Sequence, residues 1–314
     1  MTEIIIRVVP ILLLLLLGNI IRVRGILSPG TVEELKGLVV NIALPAVLFL
    51  AFLEMRMERA FLGLFLLILL ICLVMFLYGF ILRRALAVPF AYYPFLMTGF
   101  EFGMVGISLF GSAYGLANVG YIAIVDLSHE LFIWFVFVTI LTARRDGVSN
   151  VKGTLKGFAR SPLILAIVTA VVLNVAGLGE SFRIWPVTAA VAETFGLLGN
   201  VLIPVILIII GFGMGLSLQG IRSAATVVVT RLVVLLPLAF LVSRVVVRDM
   251  LALEPAFEAA VFTFLILPPP YIIPLFMKRD DVEERTYANN VLSVYTLVSL
   301  AIFIVYFVFN PALG

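Results

Sequence analysis

The sequence predicts an all-α polytopic membrane protein of ten transmembrane helices, arranged as two inverted five-helix repeats with broken, crossed helices 4 and 9. Three observations carry that prediction. Hydrophobic residues fill 63% of the 314 positions and charged residues only 12%, far from soluble averages and enough for many spans of about 20 apolar residues. Two stretches 159 positions apart share one pattern, Glu34-Leu-Lys-Gly-Leu-Val-Val-Asn-Ile-Ala-Leu-Pro45 and Glu193-Thr-Phe-Gly-Leu-Leu-Gly-Asn-Val-Leu-Ile-Pro204, each with Asn four residues before Pro. Helix breakers gather in the fourth and ninth apolar segments, equivalent places in two five-span copies.

The segments fall at 4–24, 33–54, 60–82, 89–114, 119–143, 161–178, 186–219, 223–247, 255–277 and 287–309. The first is followed by Arg22 and Arg24 without a small-residue cleavage site, which reads as a retained span and not a signal peptide. In the second, Pro45 removes the hydrogen bond to the Asn41 carbonyl. An unpaired backbone group in hydrocarbon costs several kcal/mol, so such a defect belongs where protein or trapped water covers it. The third is Leu-rich and holds the only cysteine, Cys72, which excludes an internal disulfide and reads as a small core hydrophobe. The fourth is interrupted by Gly99, Gly103, Gly106 and Gly111 and carries Glu101. The fifth places Asp126, His129 and Glu130 on one helical face, by their spacing.

Residues 145–160 join the first repeat (1–144) to the second (161–314), and their Gly, Ser and Thr among basic residues suit a cytoplasmic linker or short surface helix. The seventh segment repeats the Asn-Pro device with Asn200 and Pro204, and the eighth holds Arg231 ahead of Pro237. In the ninth, Leu267-Pro-Pro-Pro-Tyr-Ile-Ile-Pro274 forces an extended stretch. An odd number of spans per copy turns the second copy over, which is the inverted-repeat arrangement of alternating-access carriers. Fourteen of the 21 Lys and Arg residues fall on the side of the odd-numbered connections. The termini are therefore expected outside a multi-pass cell-membrane protein, with 145–160 in the cytoplasm.

The net charge of +3 comes from loop residues and gives no reason to invoke nucleic acid. No metalloprotease, phosphate-loop or nucleophile-elbow motif is present, and His and Cys are too few for zinc. The chain thus reads as no enzyme and needs no cofactor. Asn41 and Asn200, with Pro45 and Pro204, couple a freed carbonyl to an amide that donates and accepts, a combination suited to substrate contact. Gly103 and Gly106, and Pro269, Pro270 and Tyr271, lie in the unwound segments, where half-helix ends present partial charges to a ligand or ion.

Ionisable residues inside spans are functional hypotheses by default. Glu101 with Asp126, His129 or Glu130 could form a proton or sodium site, since carboxylates suit hard cations and histidine titrates near neutral pH. Arg231 could balance these acids, attract an anionic substrate or serve as a structural partner. Glu34 and Glu193, expected near helix starts, and Glu258, near the outer end of span nine, read as structural.

These residues resemble the auxin efflux carrier family over essentially the whole chain. The resemblance rests on Gly18 to Arg24, Val40-Asn-Ile-Ala-Leu-Pro-Ala-Val-Leu-Phe49, the Gly-rich fourth span, Ile203-Pro-Val-Ile-Leu-Ile-Ile-Ile-Gly211, Arg231 before Pro237, and Asn290-Val-Leu-Ser-Val-Tyr-Thr-Leu-Val-Ser299. It implies a scaffold of helices 1, 2, 6 and 7, a transport part of helices 3–5 and 8–10, a homodimer, and elevator-type movement of organic anions such as auxin in plants or dicarboxylates in bacteria. Glu101 stands where the family has Asn, and Ser108 where it has Pro. The expected function is secondary transport of a small organic acid or related metabolite, coupled to H+ or Na+ through Glu101. Two alternatives stay open: a cation/proton antiporter-like carrier using Glu101, Asp126 and Glu130, and a transporter-like membrane sensor signalling through 144–160.

Overall fold

The computed structural model describes residues 2–56, 58–146, 151–213, 218–278 and 280–311. It is all-helical at 84% helix, with no strand among the described residues. Ten apolar helices follow in order: α1 (Ile6–Val23), α2 (Pro29–Glu54), α3 (Ala60–Ala85), α4 (Phe102–Tyr114), α5 (Leu116–Arg145), α6 (Pro162–Val175), α7 (Pro186–Gly213), α8 (Gly220–Met250), α9 (Pro255–Leu265) and α10 (Val282–Phe309). Seven of them are long and apolar enough to cross a membrane; α4, α6 and α9 are shorter.

Each short helix has a local cause. Pro162 opens α6, and Gly177 at φ +73° turns the chain soon after its end. Helix α9 stops ahead of the Pro268–Pro270 run. The fourth segment is split into a short helix, Tyr93–Leu96, and α4, with Gly99 at φ +70° between them. Within 145–160, Val151–Ala159 is helical and 147–150 lie outside the described residues.

The chain divides into two compact units. The first contains α1, α2, α6, α7 and residues Gly103–Ala123. Here α1 crosses α7 at backbone contact: a Cβ on Gly18 would lie 2.1 Å from the Ile208 carbonyl oxygen, and one on Gly211 2.0 Å from that of Leu15. Helix α6 lies on α2, where the Asn174 amide donates to the carbonyls of Phe52, Leu53 and Met55 at 3.0, 2.8 and 2.8 Å. Helix α1 thus packs on α7, and α6 on α2.

The two Asn-Pro devices are accommodated differently. Before Pro45 the helix widens into a π-helical turn, Val39–Ala43, and the Leu44 amide reaches back to the Val39 carbonyl. Pro204, by contrast, sits inside an unbroken α7. The structure also corrects the placement of two acids. Ser28 and Pro29 start the second helix, and Pro186 starts α7, so Glu34 and Glu193 are exposed residues beyond the first turn and not helix-start acids.

The second unit contains α3, the short helix Tyr93–Leu96, most of α5, α8, α9 and α10. Pro94 seats the short helix on Gly79, where a Cβ would come within 2.8 Å of the Pro94 Cα. The Glu284 carboxylate accepts from the backbone amides of Ala91 and Tyr92, and Phe90 stacks on Tyr287 at 3.7 Å. At the far end of α8 a π-helical stretch, Val242–Met250, carries Arg244 and Arg248, which pair with buried Glu258 at 3.8 and 2.7 Å.

Candidate functional site

Two non-helical arms meet inside the second unit, Met97–Glu101 ahead of α4 and Ile266–Tyr271 after α9. A backbone that leaves helical geometry strands its amides and carbonyls, and in a buried setting each needs another partner. Part of that pairing runs between the arms. The Glu101 amide donates to the Pro268 carbonyl at 2.8 Å, and the Tyr271 amide donates to Glu101 Oε2 at 2.6 Å. Gly99 is forced by its left-handed φ and by space, because a Cβ there would sit 2.6 Å from Pro270 Cγ.

Arg231 binds both arms at once. It is wholly buried on α8 and donates to the carbonyls of Leu96 (3.1 Å), Thr98 (3.3 Å), Gly99 and Leu267 (3.2 Å). Leu96 ends the short helix and Leu267 follows the end of α9, so the guanidinium meets the negative ends of two half-helices. The rings of Phe100 and Tyr295 hold the guanidinium at 5.0 and 5.2 Å. These bonds give Arg231 structural partners at both arms.

Helix α5 braces the first arm. The Phe100 amide donates to His129 Nε2 at 2.9 Å, and His129 Nδ1 lies 2.7 Å from Asp126 Oδ1. Because Nε2 accepts, it carries no proton, so the proton sits on Nδ1 and is donated to Asp126. The network therefore assigns a neutral imidazole of fixed tautomer. Thr98 adds a bond from its hydroxyl to the Cys72 carbonyl on α3 at 2.9 Å.

Helix α10 braces the second arm with hydroxyls. Ser299 donates to the Ile266 carbonyl at 2.6 Å. Thr296 donates to the Leu292 carbonyl at 2.6 Å, so its 2.7 Å bond to Tyr271 has the phenol as donor. Thr296 and Ser299 stand 170 positions after Asp126 and His129, and Arg231 stands 159 after Cys72, the separation of Asn41 and Asn200. Helices α5 and α10 thus each hold one arm.

Of the residues expected to form a site, Glu101, Asp126, His129, Glu130, Arg231, Pro269, Pro270 and Tyr271 share the second unit. The ligand atoms of Asp126, His129 and Glu130 lie within 4.8 Å of one another. Both imidazole nitrogens already hold partners, and Glu130 accepts from Trp134 Nε1 at 3.0 Å, so the donors left for a cation are carboxylate oxygens. Asn41, Pro45, Asn200, Pro204, Gly103 and Gly106 lie in the other unit. Asn41 and Asn200 are exposed, and the Asn41 amide returns to its own helix at the Gly37 carbonyl, 2.8 Å away. Gly103 and Gly106 fall in a π-helical turn, Phe102–Gly106.

Sequence reasoning did not single out Thr98, Thr296 or Ser299. The last two stand in the stretch Asn290 to Ser299 that carried part of the resemblance, at the same three-residue spacing as Asp126 and His129. Asn174, the clamp on α2, had no sequence signal beyond being an amide in an apolar helix.

Residues 3–154 match the family model described as membrane transport protein, which is the auxin efflux carrier family of the resemblance. The matched family is one of transporters and not an enzyme class. No curated protein matches the chain.

Proposed function

From the family match over residues 3–154, we propose that this chain is a secondary active transporter that moves a small organic acid or related metabolite by elevator-type alternating access. On this reading ten spans form two inverted repeats in the cell membrane, with both termini outside. The observation that carries the reading is the reciprocal bonding of the two broken arms, Glu101 to Pro268 and Tyr271 to Glu101. Broken helices from duplicated halves are how such carriers build a mid-membrane site.

The contact units support a division of labour. Helices α1, α2, α6 and α7 cluster in one unit as a scaffold would, and α3, α5, α8, α9 and α10 supply most of the other; Gly103–Ala123 cluster with the first. Asn41 and Asn200 are proposed substrate contacts. Coupling to H+ or Na+ is assigned to Glu101, because its carboxylate holds the Tyr271 amide. A proton or cation arriving there competes with that bond and so acts directly on the pairing of the arms.

Glu101→Gln tests the coupling with little damage to the fold, since the amide oxygen can still accept from Tyr271. In sealed proteoliposomes the variant should transport without the pH or sodium dependence of the wild type; dependence retained in full would reject the assignment. The closeness of Asp126, His129 and Glu130 favours one second reading, a cation/proton antiporter-like carrier. Sodium-driven proton movement without any organic solute would select it.

A further inference from the structure

Three cations from three elements line one pocket of the second unit. Arg145 ends α5, Lys278 follows the short helix Ile273–Phe276, and Arg285 stands in the opening turn of α10. Together with Asp280 and neighbouring apolar groups they line a half-open pocket of about 530 Å³. Three cations against one carboxylate leave the lining with two positive charges. Two acids nearby serve the backbone: Asp281 caps α10 through the Glu284 amide at 3.3 Å, and the Glu284 carboxylate takes the amides of Ala91 and Tyr92. The Arg145 guanidinium lies 5.6 Å from the Phe276 ring centroid, which fixes the plane of that cation.

We propose that this pocket binds a phosphate group, carried either by a lipid headgroup or by a free phosphate. Guanidinium forks match two oxygens of a phosphate at once, and an ammonium supplies a point charge to a third. The volume falls within the roughly 300–1,000 Å³ of small-molecule sites. The walls also lead to the arms. Ile273–Phe276 begins two residues after Tyr271, α5 carries Asp126 and His129, and α10 carries Thr296 and Ser299. A phosphate bridging the three cations would therefore brace the three elements that hold the crossing. This proposal stands apart from the transport reading, because binding can be measured without flux.

The test is the thermal stability of the purified full-length chain under two treatments. Inorganic phosphate is titrated against chloride at matched ionic strength, and vesicles of phosphatidylcholine alone are compared with phosphatidylcholine plus phosphatidylglycerol. A rise in melting temperature with both ligands identifies the phosphate group whatever its source; a rise with phosphatidylglycerol alone identifies the lipid headgroup. In either case Lys278→Gln with Arg285→Gln should weaken apparent affinity by about tenfold or more. Lys278→Gln alone, at an exposed position, guards against misfolding of the double variant and should weaken binding measurably. No shift with either ligand overturns the proposal. So does an equal loss in Arg22→Gln with Arg24→Gln, which removes two cations of the other unit and would mean general attraction to basic surface.

Discussion

The two non-helical arms, Met97–Glu101 and Ile266–Tyr271, meet in one unit and are held by different chemistry. The first is a glycine hinge that leans on titratable side chains: the Phe100 amide donates to His129, which pairs with Asp126, and the Glu101 carboxylate accepts from the Tyr271 amide. The second is stiffened by three prolines and fastened by the hydroxyls of Thr296 and Ser299. The braces stand on α5 and α10 and differ in kind. The first arm thus rests on an imidazole and the second on hydroxyls, while Arg231 donates to carbonyls at both.

Removing that tie should have the largest effect. Arg231→Met leaves four buried carbonyls without their donor, and each unsatisfied group costs about 1–3 kcal/mol. The expected result is a loss of several kcal/mol, read as a large drop in melting temperature or failure to purify a folded protein. Arg231→Lys should recover part of it, since an ammonium lacks the fork that spans both arms. A variant as stable as wild type would mean that the arms hold each other without α8.

Gly99→Ala comes next and addresses the hinge alone. It meets an unfavourable φ of +70° together with a contact of 2.6 Å to Pro270, and strain of this kind costs about 1–3 kcal/mol. Thermal unfolding should show the loss, and a neutral outcome would show that the first arm is less constrained than the second.

The comparison sharpens when one brace is removed at a time. His129→Leu strands the Phe100 amide and unpairs Asp126, whereas Ser299→Ala removes one hydroxyl bond worth about 1 kcal/mol. In the wild type, acid that protonates Nε2 sets two donors face to face at Phe100, so this contribution to stability is present at higher pH and lost as pH falls. Melting temperature against pH should therefore flatten in His129→Leu and keep its wild-type shape in Ser299→Ala. Identical profiles for all three proteins would remove the proposed difference between the arms.

Much of this was legible because its causes are local. Gly99 and the Pro268–Pro270 run restrict their own backbone, so the breaks could be placed from sequence, and a three-residue spacing was enough to put Asp126 and His129 on one face. Arg231 was visible as a charge inside a span, but its acceptors are carbonyls 132 to 135 positions away on one arm and 36 on the other, and a carbonyl has no sequence identity. Thr296 and Ser299 look like ordinary small polar residues until a backbone breaks beside them. Glu193 was misplaced because Pro186, upstream of the repeated motif, starts the helix earlier.

The smallest stability effect belongs to the Asn-Pro pair and asks whether asymmetry extends beyond the arms. Asn41 donates to Gly37 beside a π-helical turn, while Asn200 lies in an unbroken helix, and both are exposed. An exposed side-chain bond to a neighbouring carbonyl contributes about 0.5–1 kcal/mol, so Asn41→Ala should lower the melting temperature slightly and Asn200→Ala less. Both should nevertheless abolish substrate binding if the two amides contact substrate as proposed. Binding unchanged in both would reduce Asn41 to a patch for its own proline break. Loss in one alone would show that only one of the two Asn-x-x-x-Pro motifs contacts substrate.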